Sequence, residues 1–171
     1  ITQPQNFSDA VTSGLEFELR GRASDLMPTF LGTAKALNIR TSLSIYSSSI
    51  AALNGPNNRL DGQQPWSTNF GFDQRITGMP LSVGGNLSYT PGYDTRQTVD
   101  QLVKRSSARS IDLFALMFLS PTMSFRAAAS AGVQQFGPPN GTNFTQYANG
   151  DYLRSDRYAK PQLNLSLDMR L

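Results

Sequence analysis

The last ten residues of the chain, QLNLSLDMRL (162–171), alternate between polar and apolar side chains without a break. Successive side chains of a β-strand point to opposite faces of a sheet, so this pattern predicts a strand with one apolar face. That face carries Leu163, Leu165, Leu167, Met169 and Leu171. Two environments suit such a strand: a soluble sheet with one face on a core, and the wall of a transmembrane barrel whose apolar side meets lipid.

The same two-residue period occurs in six segments further upstream, which gives seven predicted strands in all. Charged side chains such as Arg40 and Asp73 fall on the polar side, where opposite charges on neighbouring strands can pair. The segment 110–119 is apolar on both sides, so its second side requires a cover. The six upstream strands are predicted over 14–22, 37–46, 66–76, 80–93, 110–119 and 124–133.

The connections between these strands are of two kinds, and from residue 37 onward short and long connections alternate. Bacterial outer-membrane barrels combine short periplasmic turns with long extracellular loops in this way. The linker 23–36 is the exception, because it is longer than a turn, and we expect it to hold a short helical turn or to extend its two strands. The short connections are 77–80 and 120–123, and the long ones are 47–65, 90–109 and 134–151.

Composition excludes several other classes of protein. The longest apolar run, LFALMFL (113–119), is far shorter than the ~18 residues that a spanning helix needs. The chain has no cysteine and no histidine, which removes disulfides, thiolate metal sites and the commonest general base. We therefore expect no enzyme activity, no metal and no cofactor. The net charge is +3, but lysine and arginine are scattered singly, which argues against nucleic-acid binding.

Three passages together resemble the last strands of TonB-dependent outer-membrane receptors. They are PQNFSDAVTSGLEFELRGRA (4–23), NRLDGQQPWSTNFGFDQRITGMPLSVGGNLSYTPGYDTRQT (58–98) and RSIDLFALMFLSPTMSFRAAASAGV (109–133). The terminal decamer is similar to the carboxyl-terminal insertion signal of outer-membrane barrels, although Leu171 stands where such barrels usually end in Phe. In this family the plug domain and the energy-coupling box lie at the amino-terminal end, and neither occurs in these 171 residues.

The resemblance implies an all-β fold, an antiparallel up-and-down transmembrane β-barrel of which residues 1–171 form the carboxyl-terminal strands. Receptors of this family have barrels of about 22 strands, so we expect seven strands alone to form an open, curled sheet. The whole protein would take up a scarce nutrient, such as a metal–siderophore complex or a cobalamin-like compound, across the outer membrane of a Gram-negative bacterium. Its partners would be outer-membrane lipid, the barrel-assembly machinery, the nutrient and, through the amino-terminal part, a TonB-type energy-coupling protein.

The long loops would then contribute part of the ligand surface. Exposed polar and aromatic side chains in 47–65, 90–109 and 134–160 are the candidates, although loops carry such residues for solvation alone. The candidates are Arg59, Asp61, Tyr93, Arg96, Tyr147, Arg154 and Tyr158.

Two alternatives remain open from the sequence. A small complete barrel with a structural or passive-pore role needs an eighth strand from residues 1–13, which lack alternation and include Pro4. A soluble antiparallel β-sandwich that acts as a binding module needs a second layer over side chains such as Leu43, Phe72 and Leu165. Apolar side chains packed in a dry layer between two sheets would favour the sandwich.

Overall fold

The computed structural model describes residues 9–31, 36–53, 55–132, 141–157 and 160–170. These residues form an all-β chain with two antiparallel sheets and two short helices. The larger sheet has seven strands in the order β1-β2-β3-β4-β7-β8-β11, so that strands that follow one another within it are also neighbours. Its strands are β1 (Ala10–Arg22), β2 (Leu37–Ile50), β3 (Trp66–Arg75), β4 (Leu81–Thr90), β7 (Ala108–Ser120), β8 (Met123–Gly132) and β11 (Gln162–Met169).

All seven predicted strands are confirmed, with ends that differ from the predicted ones by up to four residues. Ala10–Ser13 belong to β1, so these residues do not form the separate strand that a small eight-stranded barrel requires. The predicted strand 80–93 is interrupted after Thr90, where the Pro91–Gly92 step separates β4 from the next strand. Each of β1 and β11 pairs with one neighbour only among the described residues, so the sheet is open and is not closed into a barrel.

Each of the seven strands contributes apolar side chains to one common face of the sheet, and β7 has apolar side chains on the opposite face as well. The registers pair Phe17 with Leu43, Phe70 with Leu87, and Leu165 with Ala127. A slip of one residue in any ladder would turn that strand's apolar side chains to the opposite face. We call this surface the apolar face; it includes Leu15, Phe17, Leu43, Phe70, Phe72, Leu87, Leu113, Met117, Leu163, Leu165, Leu167 and Met169.

The apolar face is uncovered along much of its length. Leu15 on β1 is 63% exposed, and Leu87 on the central strand β4 is 44% exposed. In the part of the chain that the structure describes, the buried hydrophobic residues are Ala23, Ile50, Leu53 and Val103, which lie near the ends of the sheet or beyond them. The leucine, phenylalanine and methionine side chains of the apolar face therefore do not meet in a dry layer, which is what a sandwich requires.

The opposite surface, the polar face, is concave. A cavity of ≈ 400 Å³ lies on it and is lined by side chains of β1 to β4, among them Glu16, Arg40, Asn69 and Asn86. Hydrogen bonds connect neighbouring strands: Ser44 Oγ donates to Glu16 Oε1 at 3.2 Å, and Asn38 Nδ2 donates to Asp73 Oδ2 at 2.9 Å. Neighbouring strands are thus connected by hydrogen bonds from neutral side chains to carboxylates, whereas the described residues of this face form no ion pair of the kind that the sequence predicted.

The second apolar side of β7 is accommodated on the polar face by a glycine and an arginine. A Cβ atom added to Gly84 would lie 2.5 Å from Phe114 Cε1, so the ring of Phe114 occupies the space that a side chain at residue 84 would take. The guanidinium of Arg126 lies over the same ring, 5.5 Å from its centroid. Such a cation–π contact covers part of an aromatic ring while the charge remains near water.

Short and long connections lie at opposite ends of the sheet. The β3–β4 and β7–β8 turns lie at one end, together with the β1–β2 connection, which contains α1 (Ala23–Leu26) and α2 (Pro28–Leu31). The short helical turn expected in 23–36 is thus confirmed. No helix among the described residues is long and apolar enough to cross a bilayer.

The segments 90–109 and 134–160 contain strands that the sequence did not predict, so their interpretation as plain linkers was wrong. They hold β5 (Tyr93–Thr98), β6 (Gln101–Arg105), β9 (Gly141–Tyr147) and β10 (Tyr152–Arg157). These strands form a four-stranded antiparallel sheet, the small sheet, in the order β10-β9-β6-β5. The strands were missed because their sequences, such as YDTRQT and YLRSDR, lack an apolar residue at every second position.

Candidate functional site

The small sheet and the β2–β3 loop (51–65) lie together at the end of the large sheet that carries the long connections; we call this region the loop end. Three of the described buried residues, Leu53, Thr95 and Val103, belong to it, and the buried Ile50 at the end of β2 adjoins it. A buried cluster of this kind beneath a long loop fixes the loop in one conformation. The loop end is therefore a folded surface rather than a set of independent loops.

Backbone and amide hydrogen bonds hold the 51–65 loop in place. The Arg96 N–H donates to the carbonyl of Asn57 at 2.7 Å, which joins the loop to β5. The Asn58 side chain donates to the carbonyls of Ile50 and Leu53, each at 3.2 Å. These bonds satisfy backbone groups that would otherwise be buried without partners.

Asp61, one of the predicted ligand-facing residues, is the centre of a polar cluster. Arg105 forms an ion pair with it, with Nη2 2.8 Å from Oδ1, and Gln97 Nε2 donates to Oδ2 at 2.8 Å. Burial raises the pKa of Asp61. The hydrogen bonds from Arg105 and Gln97 and the charge of Arg105 together lower it by more than burial raises it. The pKa of this carboxyl is therefore below its ordinary value, so Asp61 is ionised at neutral pH.

Tyr93, a second predicted residue, lies in the same cluster. Burial raises the pKa of Tyr93, Asp61 raises it further, and the charges of Arg105 and Arg59 act in the opposite direction. The phenol is therefore neutral at physiological pH and can both donate and accept a hydrogen bond. The structure thus brings together three of the predicted residues, Arg59, Asp61 and Tyr93.

A row of four directly opposed residues runs across the small sheet beside this cluster. Tyr93 on β5 pairs with Arg105 on β6, Arg105 pairs with Asn143 on β9, and Asn143 pairs with Ser155 on β10. Since side chains alternate along a strand, these four lie on one face, which also carries the buried Thr95 and Val103. We call it the cavity face.

The cavity face forms one wall of a cavity of ≈ 280 Å³ between the small sheet and the end of the large sheet. All four residues of the row line it, together with Arg157, which is two residues beyond Ser155 on the same face. Thr90 and Ala108, at the ends of β4 and β7, close it on the side of the large sheet. The cavity therefore presents two guanidinium groups, a phenol, an amide and a hydroxyl.

The structure places two other predicted residues away from this cavity. Arg154 points to the opposite face of β10, where its Nε is 3.0 Å from Asp156, and this bond is the largest cause that lowers the pKa of Asp156. Arg96 alternates with Thr95 and donates from Nη1 to the carbonyl of Val99 at 3.0 Å. Both arginines therefore have structural partners of their own.

The last two predicted loop residues lie elsewhere. Tyr147 is at the end of β9, 38% exposed, and lines a shallow depression with Asp100, Asn149 and Asp151. Tyr158 lies outside the described residues. Of the insertion-signal residues, Leu163, Leu165, Leu167 and Met169 are exposed on the apolar face, and Leu171 lies outside the described residues.

Sequence reasoning missed Gln97, Arg105, Asn143 and Arg157. If residues 104 and 105 are taken as part of a loop, nothing distinguishes Lys104 from Arg105. Once β6 is known to be a strand, its alternation places Arg105 on the same face as the buried Val103. Within the described ranges, no group of three or more aspartate, glutamate, histidine or cysteine side chains is arranged to hold a metal ion. No protein-family model, no curated protein and no solved structure matches the chain.

Proposed function

We propose that residues 1–171 are the carboxyl-terminal part of the β-barrel of an outer-membrane transporter of the TonB-dependent receptor type, which takes up a scarce nutrient. The observation that carries this proposal is the seven-stranded sheet in which every ladder is in phase and the apolar face is exposed. Lipid is the environment that suits such a face, because an apolar band exposed to water on this scale is unfavourable.

The concave polar face supports the same proposal. In a barrel it would line the lumen, where Glu16, Arg40 and Arg126 can remain hydrated. On the lipid side, one lysine or arginine at mid-membrane would cost roughly 2–4 kcal/mol. Charged residues lie on the polar side of β1, β2 and β3, and residues such as Leu15, Phe70 and Leu87 occupy the other side. The segregation follows that free-energy cost.

The open edges of β1 and β11 favour a larger barrel over a small one. In a bilayer every backbone N–H and C=O at a strand edge needs a partner, because no water is present to provide one. Further strands of the natural protein would supply those partners to β1 and β11. The loop end, with its cluster around Asp61, would then face the cell exterior and form part of the ligand surface.

The test uses the natural full-length protein expressed in a Gram-negative host. We expect it in the outer-membrane fraction, with a heat-modifiable shift in electrophoretic mobility that is typical of folded barrels. A deletion strain should lose growth on at least one member of a panel of ferric siderophores and cobalamins supplied as the scarce nutrient. The full-length gene should restore that growth only when the energy-coupling partner is intact.

Each arm has an outcome that contradicts the proposal. A full-length protein that fractionates as a soluble monomer with a cooperative unfolding transition would favour the sandwich. An outer-membrane protein whose deletion leaves growth unchanged on the whole panel would favour a structural or passive-pore role. Growth that does not depend on the energy-coupling partner would contradict active transport.

A further inference from the structure

We infer that the cavity of the loop end binds a carboxylate or phosphate group, and that Arg157 is the residue that contacts this anion directly. The inference rests on the proposed function for the source of the anion, which would be part of the transported nutrient. The physical argument for the site itself depends only on the residues that line the cavity.

The charge balance of the cavity favours an anion. Arg105 and Arg157 line it, and none of the described residues that line it is a carboxylate. Asp61, beside the cavity, accepts a hydrogen bond from Arg105 and offsets one positive charge. Arg59 also lies near enough to lower the pKa of Tyr93, so arginines outnumber carboxylates in these surroundings. Opposite charge is attracted strongly where a site is partly shielded from water.

The guanidinium groups of the cavity retain unused donors. Arg105 Nε is buried and has no hydrogen-bond partner among the described residues. A buried donor without a partner is unfavourable, so an acceptor that reaches Arg105 Nε would be favoured there. Within the described ranges, no carboxylate lies within ion-pair distance of the exposed Arg157 side chain. Arg157 can therefore offer both arms of its fork to one anion, the geometry that carboxylate and phosphate prefer.

The neutral groups of the row complete the site. The Tyr93 hydroxyl, the Asn143 amide and the Ser155 hydroxyl can each donate a hydrogen bond to an anion oxygen. A volume of ≈ 280 Å³ corresponds to several water molecules, since one water takes up about 30 Å³. The cavity is thus large enough for a phosphate group or a small polycarboxylate.

The test measures binding of citrate and of inorganic phosphate to the full-length protein in neutral detergent by isothermal titration calorimetry at constant ionic strength. Arg157→Gln removes the proposed contact, and Arg157→Lys keeps the charge without the fork. Arg154→Gln is the matched control, because Arg154 lies on the same strand but on the opposite face. We expect Arg157→Gln to weaken binding about 10- to 100-fold, Arg157→Lys to give an intermediate loss, and the control to match the unmodified protein.

Two results would overturn the inference: no saturable binding of citrate, phosphate or phosphatidylglycerol, or equal weakening by Arg157→Gln and Arg154→Gln. A second arm replaces the soluble anions by phosphatidylglycerol in the micelles. Arg157-dependent binding in the first arm identifies a soluble anion, and Arg157-dependent binding in the second alone identifies a lipid headgroup. Heat-modifiable mobility of each variant is measured separately, so failure of the barrel proposal is distinguished from failure of the anion site.

Discussion

An arginine scan along β11 distinguishes lipid from water as the environment of the apolar face. Leu163, Leu165, Leu167 and Met169 are 69%, 62%, 55% and 65% exposed, so packing within the sheet is nearly the same at the four positions. From Leu163 to Met169 the strand advances about 20 Å, at roughly 3.3 Å per residue; at a tilt of about 40° it covers about 15 Å of an apolar band about 25 Å tall, with Leu163 and Met169 toward the edges of the band. The four positions therefore sample different depths at constant packing.

The two environments predict different profiles of destabilisation. In a bilayer, arginine at Leu165 or Leu167 should lower the free energy of unfolding by about 2–4 kcal/mol, and arginine at Leu163 or Met169 by about 0–1 kcal/mol, because the penalty falls toward the interfaces. In water, substitution of an exposed side chain changes stability by only about 0.5 kcal/mol. The profile would then be flat along the strand.

The assay is urea unfolding of the full-length protein refolded into phosphatidylcholine vesicles. Asn164→Arg and Ser166→Arg are the matched controls, because both residues lie on the polar face of β11 between the scanned positions. We expect these two variants to unfold within about 1 kcal/mol of the unmodified protein. A flat profile at the four apolar positions, or equal costs for Leu165→Arg and Asn164→Arg, would refute the assignment of this face to lipid.

Three further predictions concern the loop end and the sheet. Asp61→Asn should reduce the stability of the 51–65 loop by about 0.5 kcal/mol, because the ion pair with Arg105 is half-exposed. Since the pKa of Asp61 is lowered in the folded protein, this loss of stability should be complete above the unfolded pKa of about 3.9 and should disappear as the pH falls through the folded pKa. Hydrogen exchange, corrected for intrinsic rates, measures the difference. A difference that grows toward low pH would contradict this. Thr95→Val should leave the protection of β5 unchanged or increase it, because Thr95 is fully buried and its hydroxyl has no partner among the described residues; a clear loss would show that the hydroxyl is bonded. Gly84→Val should lower the free energy of unfolding by about 1–3 kcal/mol, since its Cβ would collide with Phe114 and with the Phe72 carbonyl, and the double variant with Phe114→Ala should recover part of that loss in the same urea assay.

The seven strands of the large sheet could be predicted from the sequence because each has an apolar residue at nearly every second position. Such alternation is required wherever the two faces of a sheet meet different environments. Residues close together in the chain, such as Leu163 and Leu165, are therefore enough to show it. The alternation of short and long connections followed from the same strand boundaries. No long-range information was needed for this part of the fold.

The small sheet and its cavity could not be predicted in the same way. The small sheet depends on the 51–65 loop, through contacts such as Arg105 with Asp61, which are 44 residues apart in the chain. Among the described residues of its strands, Thr95 and Val103 are the buried ones, so its sequences carry little apolar pattern. Arg105 and Arg157 became candidates only when the registers placed them on the cavity face, whereas Arg96 and Arg154 lost that role.

The most direct test of the central proposal is a spin-label scan of single cysteines along β4 in the full-length protein reconstituted in lipid. Residues 1–171 contain no cysteine, so the labels can be placed one at a time after any cysteine elsewhere in the protein is replaced. We expect labels at 81, 83 and 87 to be accessible to oxygen dissolved in lipid, and labels at 82, 86 and 88 to be accessible to a water-soluble nickel complex. Residues 84 and 85 are not labelled, because a Cβ atom there would collide with Phe114 or Leu113. Equal access of the nickel complex to both sets would contradict the assignment of the apolar face to the bilayer.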